Sequence, residues 1–169
     1  MRALCVVLCL GHASALALGS MRPPHLRSSM HSVHMSLFGD MMQGLIKLQA
    51  GSYDQAAVKA KLDNQIKRKP CVMYSLSTCP FCAKAKDQLS SMGTMYTVIE
   101  LDEEEEGMAM KAELAGITGQ TSCPQVFAGG QFLGGCNDGG IGGILPLAKS
   151  GKLENILIQA GALSKTQRI

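Results

Sequence analysis

Ser75-Leu76-Ser77-Thr78-Cys79-Pro80-Phe81-Cys82-Ala83-Lys84-Ala85-Lys86 sets two cysteines three positions apart, where one kind of backbone gives way to another. The preceding Cys71-Val72-Met73-Tyr74 is apolar and strand-like, and Ala83 to Met92 has the Ala, Lys, Gln and Leu content of a helix. A strand therefore turns into a helix at the cysteine pair. Pro80 suits the first helical position, where its missing N–H costs nothing, which puts Cys79 at the cap with unpaired backbone donors and the helix dipole directed at its sulfur. A free cysteine titrates at about 8.5, but helix N-termini and Cys-x-x-Cys settings lower this to roughly 3.5 to 7.5, and the thiolate is the form that attacks sulfur. The stretch predicts a redox-active thiol at Cys79, with Cys82 one turn further in and close enough to resolve the intermediate that Cys79 makes.

Two structural readings compete. A zinc site needs a second pair of ligands at suitable spacing, yet the other five cysteines occur singly and all four histidines precede residue 35. No metal site is expected. A purely structural disulfide between Cys79 and Cys82 would close a very short loop and stabilise weakly. Spacing, position and neighbours together favour redox chemistry.

The 169 residues suit one domain of ordinary size with extensions. Hydrophobic content of 46% supports a core, which must be built from aliphatic, Met and Cys side chains because aromatics make up only 4% and Trp is absent. The net charge of +3 is accounted for by Arg2, Arg22 and Arg27, since no acidic residue precedes Asp40 and the charges balance thereafter. Nothing in this distribution points to nucleic acid. Seven unevenly spaced cysteines do not form a disulfide scaffold.

Residues 1–39 read as a targeting presequence. Arg2, the apolar Ala3 to Leu10 and the small residues Ala13-Ser14-Ala15 resemble a signal peptide, and this apolar run is too short to span a bilayer. Met21 to Ser36 then has transit-peptide composition, with Arg22, Arg27, serines, histidines and no acid. Two signals in series predict a plastid reached through the endoplasmic reticulum, with mitochondrion and secretory pathway as alternatives. Cys5 and Cys9 are expected to leave with this segment, and the mature form is expected to have no membrane attachment. Residues 40–53 form a linker with a short amphipathic helix, within a run from Leu37 to Gly51 in which Leu37, Phe38, Met41, Met42, Leu45, Ile46 and Leu48 recur near helical spacing.

The domain is expected over 54–163, followed by a polar tail over 164–169. Asp54 to Lys69 reads as a helix ended by Pro70, with Ala57, Leu62 and Ile66 available to its buried side. Strand Cys71–Leu76, helix Cys82–Met92 and strand Met95–Leu101 make a βαβ unit with parallel strands. The acidic run Asp102 to Glu106 precedes a helix over Gly107–Ala115 and reads as a solvated cap, since negative charge is favoured at a helix start. Gln125-Val126-Phe127-Ala128, Gly129-Gly130 and Gln131-Phe132-Leu133 read as a β-hairpin. Helices follow around Ile141–Lys149 and Leu153–Ala160. The order is that of an α/β fold with a mixed sheet covered on both faces.

Three separated motifs then coincide, and over Asp54 to Leu163 the chain resembles a glutaredoxin, which implies a thioredoxin-like, four-stranded mixed sheet with helices on both faces. Cys79-Pro80-Phe81-Cys82 is similar to the family's dithiol active site, with Phe81 where Tyr is common. Thr118-Gly119-Gln120 through Ser122-Cys123-Pro124-Gln125-Val126-Phe127 is similar to the segment carrying its cis-proline, here Pro124. Gly134-Gly135-Cys136-Asn137-Asp138 is similar to its double-glycine glutathione loop.

The resemblance implies a glutathione-dependent thiol-disulfide oxidoreductase, acting as a monomer on glutathionylated or disulfide-containing proteins. Cys79 and Cys82 are the expected catalytic pair. Glutathione is the expected co-substrate, with Thr78, Pro80, Phe81, Gln120, Ser122, Cys123, Pro124, Gly135, Cys136, Asn137 and Asp138 around it. The backbone of Cys123 is expected to pair with its cysteinyl part. The N–H groups of Cys136 and Asn137, with the dipole of a helix at Ile141, would approach its γ-glutamyl carboxylate, and Asp138 would receive its ammonium group. Two positions depart from the family. Leu76 stands where many relatives carry a lysine for the glycyl carboxylate, leaving that charge to Gln120 or a nearby lysine. Cys123 replaces the usual valine, as a small packing residue or as the source of an alternative disulfide with Cys79. Cys71 reads as a buried strand residue and Cys136 as a modifiable loop cysteine. The alternative function is a [2Fe-2S] carrier in which two chains share a cluster through Cys79 and glutathione, although relatives of that kind typically have one active-site cysteine and glycine in place of Pro80.

Overall fold

The structure, a computed structural model, describes residues 41–164. The expected presequence, Leu37, Phe38, Cys5, Cys9 and the tail beyond Ser164 lie outside the described residues. Helix α1 covers residues 41–50, and is followed by α2 (Gln55–Arg68), β1 (Cys71–Ser75), α3 (Pro80–Ser91), β2 (Thr97–Glu100), α4 (Gly107–Thr118), β3 (Gln125–Ala128), β4 (Gln131–Gly134), α5 (Ile144–Lys149) and α6 (Lys152–Gln159). The sheet order is β2-β1-β3-β4, with β1 and β2 parallel and the other two pairings antiparallel.

β1 organises this sheet because it is central and buried along its whole length. Side chains alternate across a strand, and they do so here. Cys71 and Met73 join the core formed with Ala85, Leu89, Leu147, Leu153 and Leu157, whereas Val72 and Tyr74 join the core formed with Val58, Leu62, Met110, Leu114 and Phe127. α3, α5 and α6 therefore cover one face, and α2 and α4 the other. Three aromatics meet in the second core, where Phe127 lies edge-on to Tyr74 at 6.0 Å and 5.0 Å from Phe132.

Local chemistry sets the element ends. Asp54 caps α2 by accepting from the N–H groups of Ala56 (3.0 Å) and Ala57 (3.1 Å), and Val58, not Ala57, is its buried residue beside Leu62 and Ile66. Gly129 and Gly130 turn the β3–β4 hairpin at positive φ, 56° and 82°, which glycine tolerates best. The acids of 102–106 precede α4, as expected, in turns that end at its cap Glu106, although Glu106 makes no side-chain capping bond. Gly107 opens the helix because any Cβ there would run into the Leu101 carbonyl. One expectation needs correction: α5 begins at Ile144, not Ile141, because Gly139, Gly140, Gly142 and Gly143 all take positive φ, which holds the chain in turns.

α1 is tied to the domain by Gln43 Nε2, which donates to the Ala115 carbonyl at 3.2 Å, and by Ile46, which is buried. No helix of the described residues is long and apolar enough to cross a membrane.

Candidate active site

The β1–α3 junction aims the sulfur of Cys79. Cys79 is the N-cap of α3, with extended backbone angles, and Pro80 occupies the first helical turn. The Cys82 N–H donates to Cys79 Sγ at 3.4 Å, satisfying one of the donors that a helix start leaves free. Ser77 fixes the loop that leads in: its N–H donates to Asp102 Oδ1 and Oδ2 at 3.0 and 3.1 Å, and its hydroxyl donates to the same carboxylate. These bonds hold the Asp102 carboxyl below the usual carboxylate range. The second residue after β2 thus anchors the loop before the cysteines. Sequence reading gave Asp102 only a place in an acidic run, because a bond across 25 residues has no local signature.

The two thiols are shifted in opposite directions. Partial burial works against the Cys79 thiolate. It is outweighed by the Cys82 thiol donating to it, by the N–H groups of Cys82 and Phe81 and by the Lys86 ammonium, so the pKa lies below that of an ordinary thiol. Cys82 is fully buried, and that burial pushes its thiol up to about 12. One thiol is a ready nucleophile and the other a proton donor in reserve. Lys86 is itself paired with Glu100 at the end of β2. Burial lowers the Lys86 pKa, but the Glu100 contact more than reverses this, so Lys86 keeps its charge beside the cysteines. Lys84 instead lies over the Phe81 ring, 5.7 Å from its centroid.

A cleft of about 240 Å³ opens next to this sulfur, lined by Phe81, Gln120, Ser122, Cys123, Pro124, Gly135, Cys136, Asn137 and Asp138. Nine expected ligand-binding positions therefore meet at one surface, although they come from three separate stretches of chain. Cys79 stands at its edge, with its Sγ 3.7 Å from the Cys123 carbonyl. Thr78 and Pro80 do not line the cleft; both are exposed beside Cys79. The Cys123–Pro124 peptide is cis. Gly135 has to be glycine for packing, since a Cβ there would meet Gln120 Nε2 at 2.8 Å and the Pro124 carbonyl at 3.2 Å. The Gln120 amide closes the space between the two loops, donating to Ser122 Oγ at 3.0 Å, while its Oε1 is buried with no hydrogen-bond partner.

The remaining cysteines divide by environment. Cys71 is buried in β1 as expected, its thiol pushed up to about 12 by burial. Cys136 is not the open, modifiable loop cysteine expected. It is buried and its pKa is raised by desolvation, because the loop turns its side chain inward against the sheet end, where it still forms part of the cleft wall. Cys123 is half-buried and packs against both cores, and burial takes its thiol up to about 11.

This geometry matches known proteins. The Glutaredoxin family model covers residues 71–133. A glutaredoxin of Solanum lycopersicum is 38% identical over 107 residues, 63% of this chain and 94% of that protein. Glutaredoxin-C6 of Oryza sativa subsp. japonica is 38% identical over 109 residues, 64% of this chain and 93% of that protein. The crystal structure of a buckwheat glutaredoxin–glutathione complex superposes with a TM-score of 0.61 at 32% identity, covering 65% of this chain and 96% of the other. With the cysteine pair, the cis-proline and the glycine loop arranged about one cleft, the chain belongs to the glutaredoxin family of thiol oxidoreductases and has its thioredoxin-like fold.

Proposed function

We propose that the protein is a glutathione-dependent reductase of protein–glutathione mixed disulfides and of protein disulfides. One observation carries the proposal: a sulfur whose pKa is lowered at a helix start stands 3.7 Å from the backbone that precedes a cis-proline, at the edge of a cleft. An extended peptide ligand laid along the Cys123 backbone would bring its own sulfur to Cys79. The Cys79 thiolate attacks the glutathionyl sulfur of the mixed disulfide, the protein thiolate leaves, and Cys79 becomes glutathionylated. A second glutathione attacks that adduct, releasing glutathione disulfide and restoring the thiolate. With a protein disulfide, Cys79 first forms a mixed disulfide with the substrate. Cys82 then attacks Cys79, and glutathione reduces the resulting Cys79–Cys82 bond.

The cleft wall carries polar groups suited to the N–H and ammonium groups of a peptide ligand. Gln120 presents a buried acceptor without a partner, suited to a ligand N–H, and Asp138 lies in the wall for an ammonium group. The buckwheat relative was crystallised with glutathione, which supports the same choice. Leu76 leaves the glycyl carboxylate without the expected lysine. A hydrogen bond to a charged group contributes about 1.5 to 3 kcal/mol, so Leu76→Lys is expected to lower the KM for glutathione in steady-state kinetics. An unchanged KM would mean that another group already supplies this contact.

The test of the function is a glutathione-coupled assay with a small mixed disulfide on protein purified without oxygen. A colourless monomer that turns over the substrate supports the proposal. A brown dimer with visible absorption and no turnover would favour the cluster carrier. Among the described residues no group of three or more His, Cys, Asp or Glu could hold a metal ion, so a cluster would need ligands from a second chain and from glutathione.

For location we infer the plastid, on the two-part composition of residues 1–39 and with support from a rice relative named Glutaredoxin-C4, chloroplastic, 38% identical over 95 residues. A reporter fused to residues 1–39 should enter plastids; export to the medium would refute the assignment.

A further inference from the structure

Cys123 and Cys136 form parts of the cleft wall, Cys79 stands beside it, and Cys82, one turn further into α3, is buried. Cys123 is the wall residue next to the reacting sulfur: its backbone carbonyl oxygen is 3.7 Å from Cys79 Sγ, and both side chains pack against the same core. Its own side chain is only partly buried, whereas Cys82 has no exposed surface.

We propose that Cys123 is a second resolving thiol, which attacks Cys79 in the glutathionylated enzyme to form a Cys79–Cys123 disulfide and release glutathione. This rests on the glutathione-dependent function proposed above. The step is balanced: the Cys79–glutathione S–S bond breaks, the Cys79–Cys123 S–S bond forms, and glutathione departs as thiolate and takes up the proton that Cys123 gives up. No outside oxidant is required, since the disulfide arrives with the substrate. Free glutathione reverses the step by attacking the new bond. Burial raises both candidate resolving thiols, to about 11 for Cys123 and about 12 for Cys82, so ionisation gives neither a decisive lead and the two compete. The outcomes differ in what they tie together. Cys79–Cys82 closes a single helical turn, whereas Cys79–Cys123 joins the start of α3 to the segment ahead of β3, across 44 residues of chain. It therefore locks the backbone along which glutathione would lie and takes the enzyme out of turnover until it is reduced.

The test uses the full chain carrying Cys82→Ser, treated with glutathione disulfide, quenched in acid and mapped by mass spectrometry without reduction. The expected product is a cross-linked peptide pair containing Cys79 and Cys123, formed at a rate that rises about tenfold per pH unit below the thiol's pKa. Adding Cys123→Val, the residue usual in the family, should instead leave glutathione on Cys79. The proposal is overturned if Cys82→Ser alone keeps a stable adduct on Cys79 while Cys123 still reacts with alkylating agent, or if Cys79 is found linked to Cys136. If Cys79 takes up no glutathione in either variant, the glutathione-dependent function itself fails, and this inference with it.

Discussion

Cys79→Ser is expected to reduce turnover of any disulfide substrate by about four orders of magnitude or more, the scale seen when a covalent nucleophile is removed, while Cys82→Ser keeps turnover of glutathionylated substrates. The asymmetry follows from the environments of the two sulfurs. Cys79 is partly exposed at the cleft, receives an N–H at 3.4 Å and has a lowered pKa. Cys82 has no exposed surface, and burial holds its thiol near 12, so it cannot take over attack on an external disulfide. It can reach only what is already bonded to Cys79. Parallel assays with a glutathionylated peptide and a protein disulfide check this. Equal loss of both activities in Cys82→Ser would contradict the division of labour.

The largest expected effect on stability comes from Glu113, which lies in α4 with its side chain only 2% exposed. It accepts from the Tyr53 hydroxyl at 2.6 Å and from Gln55 Nε2 at 2.9 Å, and it pairs with Lys59 at 3.4 Å. These contacts pin the start of α2 and the chain before it to α4. Hydrogen bonds to a charged group contribute about 1.5 to 3 kcal/mol each, so Glu113→Ala should cost about 3 kcal/mol, read as a lower urea midpoint at unchanged slope. Lys59 is half exposed and adds little. The pH dependence has a defined sign. Burial works against the Glu113 carboxylate, but Tyr53, Gln55 and Lys59 outweigh it and hold its pKa below the ordinary value. Its contribution is therefore present above the unfolded-state pKa and is lost as pH falls through the folded one. Wild type should lose stability on acidification more steeply than Glu113→Ala.

The parts of this molecule that were legible in the sequence are those specified by neighbouring residues. Pro80 after Cys79 identified a helix start and its cap, and the apolar run of β1 and the Gly129-Gly130 turn are likewise local. Three motifs close to one another in type but not in position indicated the cleft, and nine of their residues share it. What stayed hidden depends on long-range contacts. Asp102 reads in the sequence as one acid among five, whereas Ser77 is bound to it, and nothing near Glu113 in the sequence marks Tyr53 and Gln55, some 60 residues away, as its partners. The inward turn of Cys136 is likewise set by how a glycine-rich loop folds back on the sheet, which composition cannot specify.

The central claim is that backbone donors at the start of α3 keep the Cys79 sulfur ionised near neutral pH. Its most direct measurement is the rate of alkylation of Cys79 against pH, in a variant whose other cysteines are replaced except Cys82. A titration midpoint clearly below the value of about 8.5 for a free thiol is predicted. A midpoint at or above that value would contradict the account.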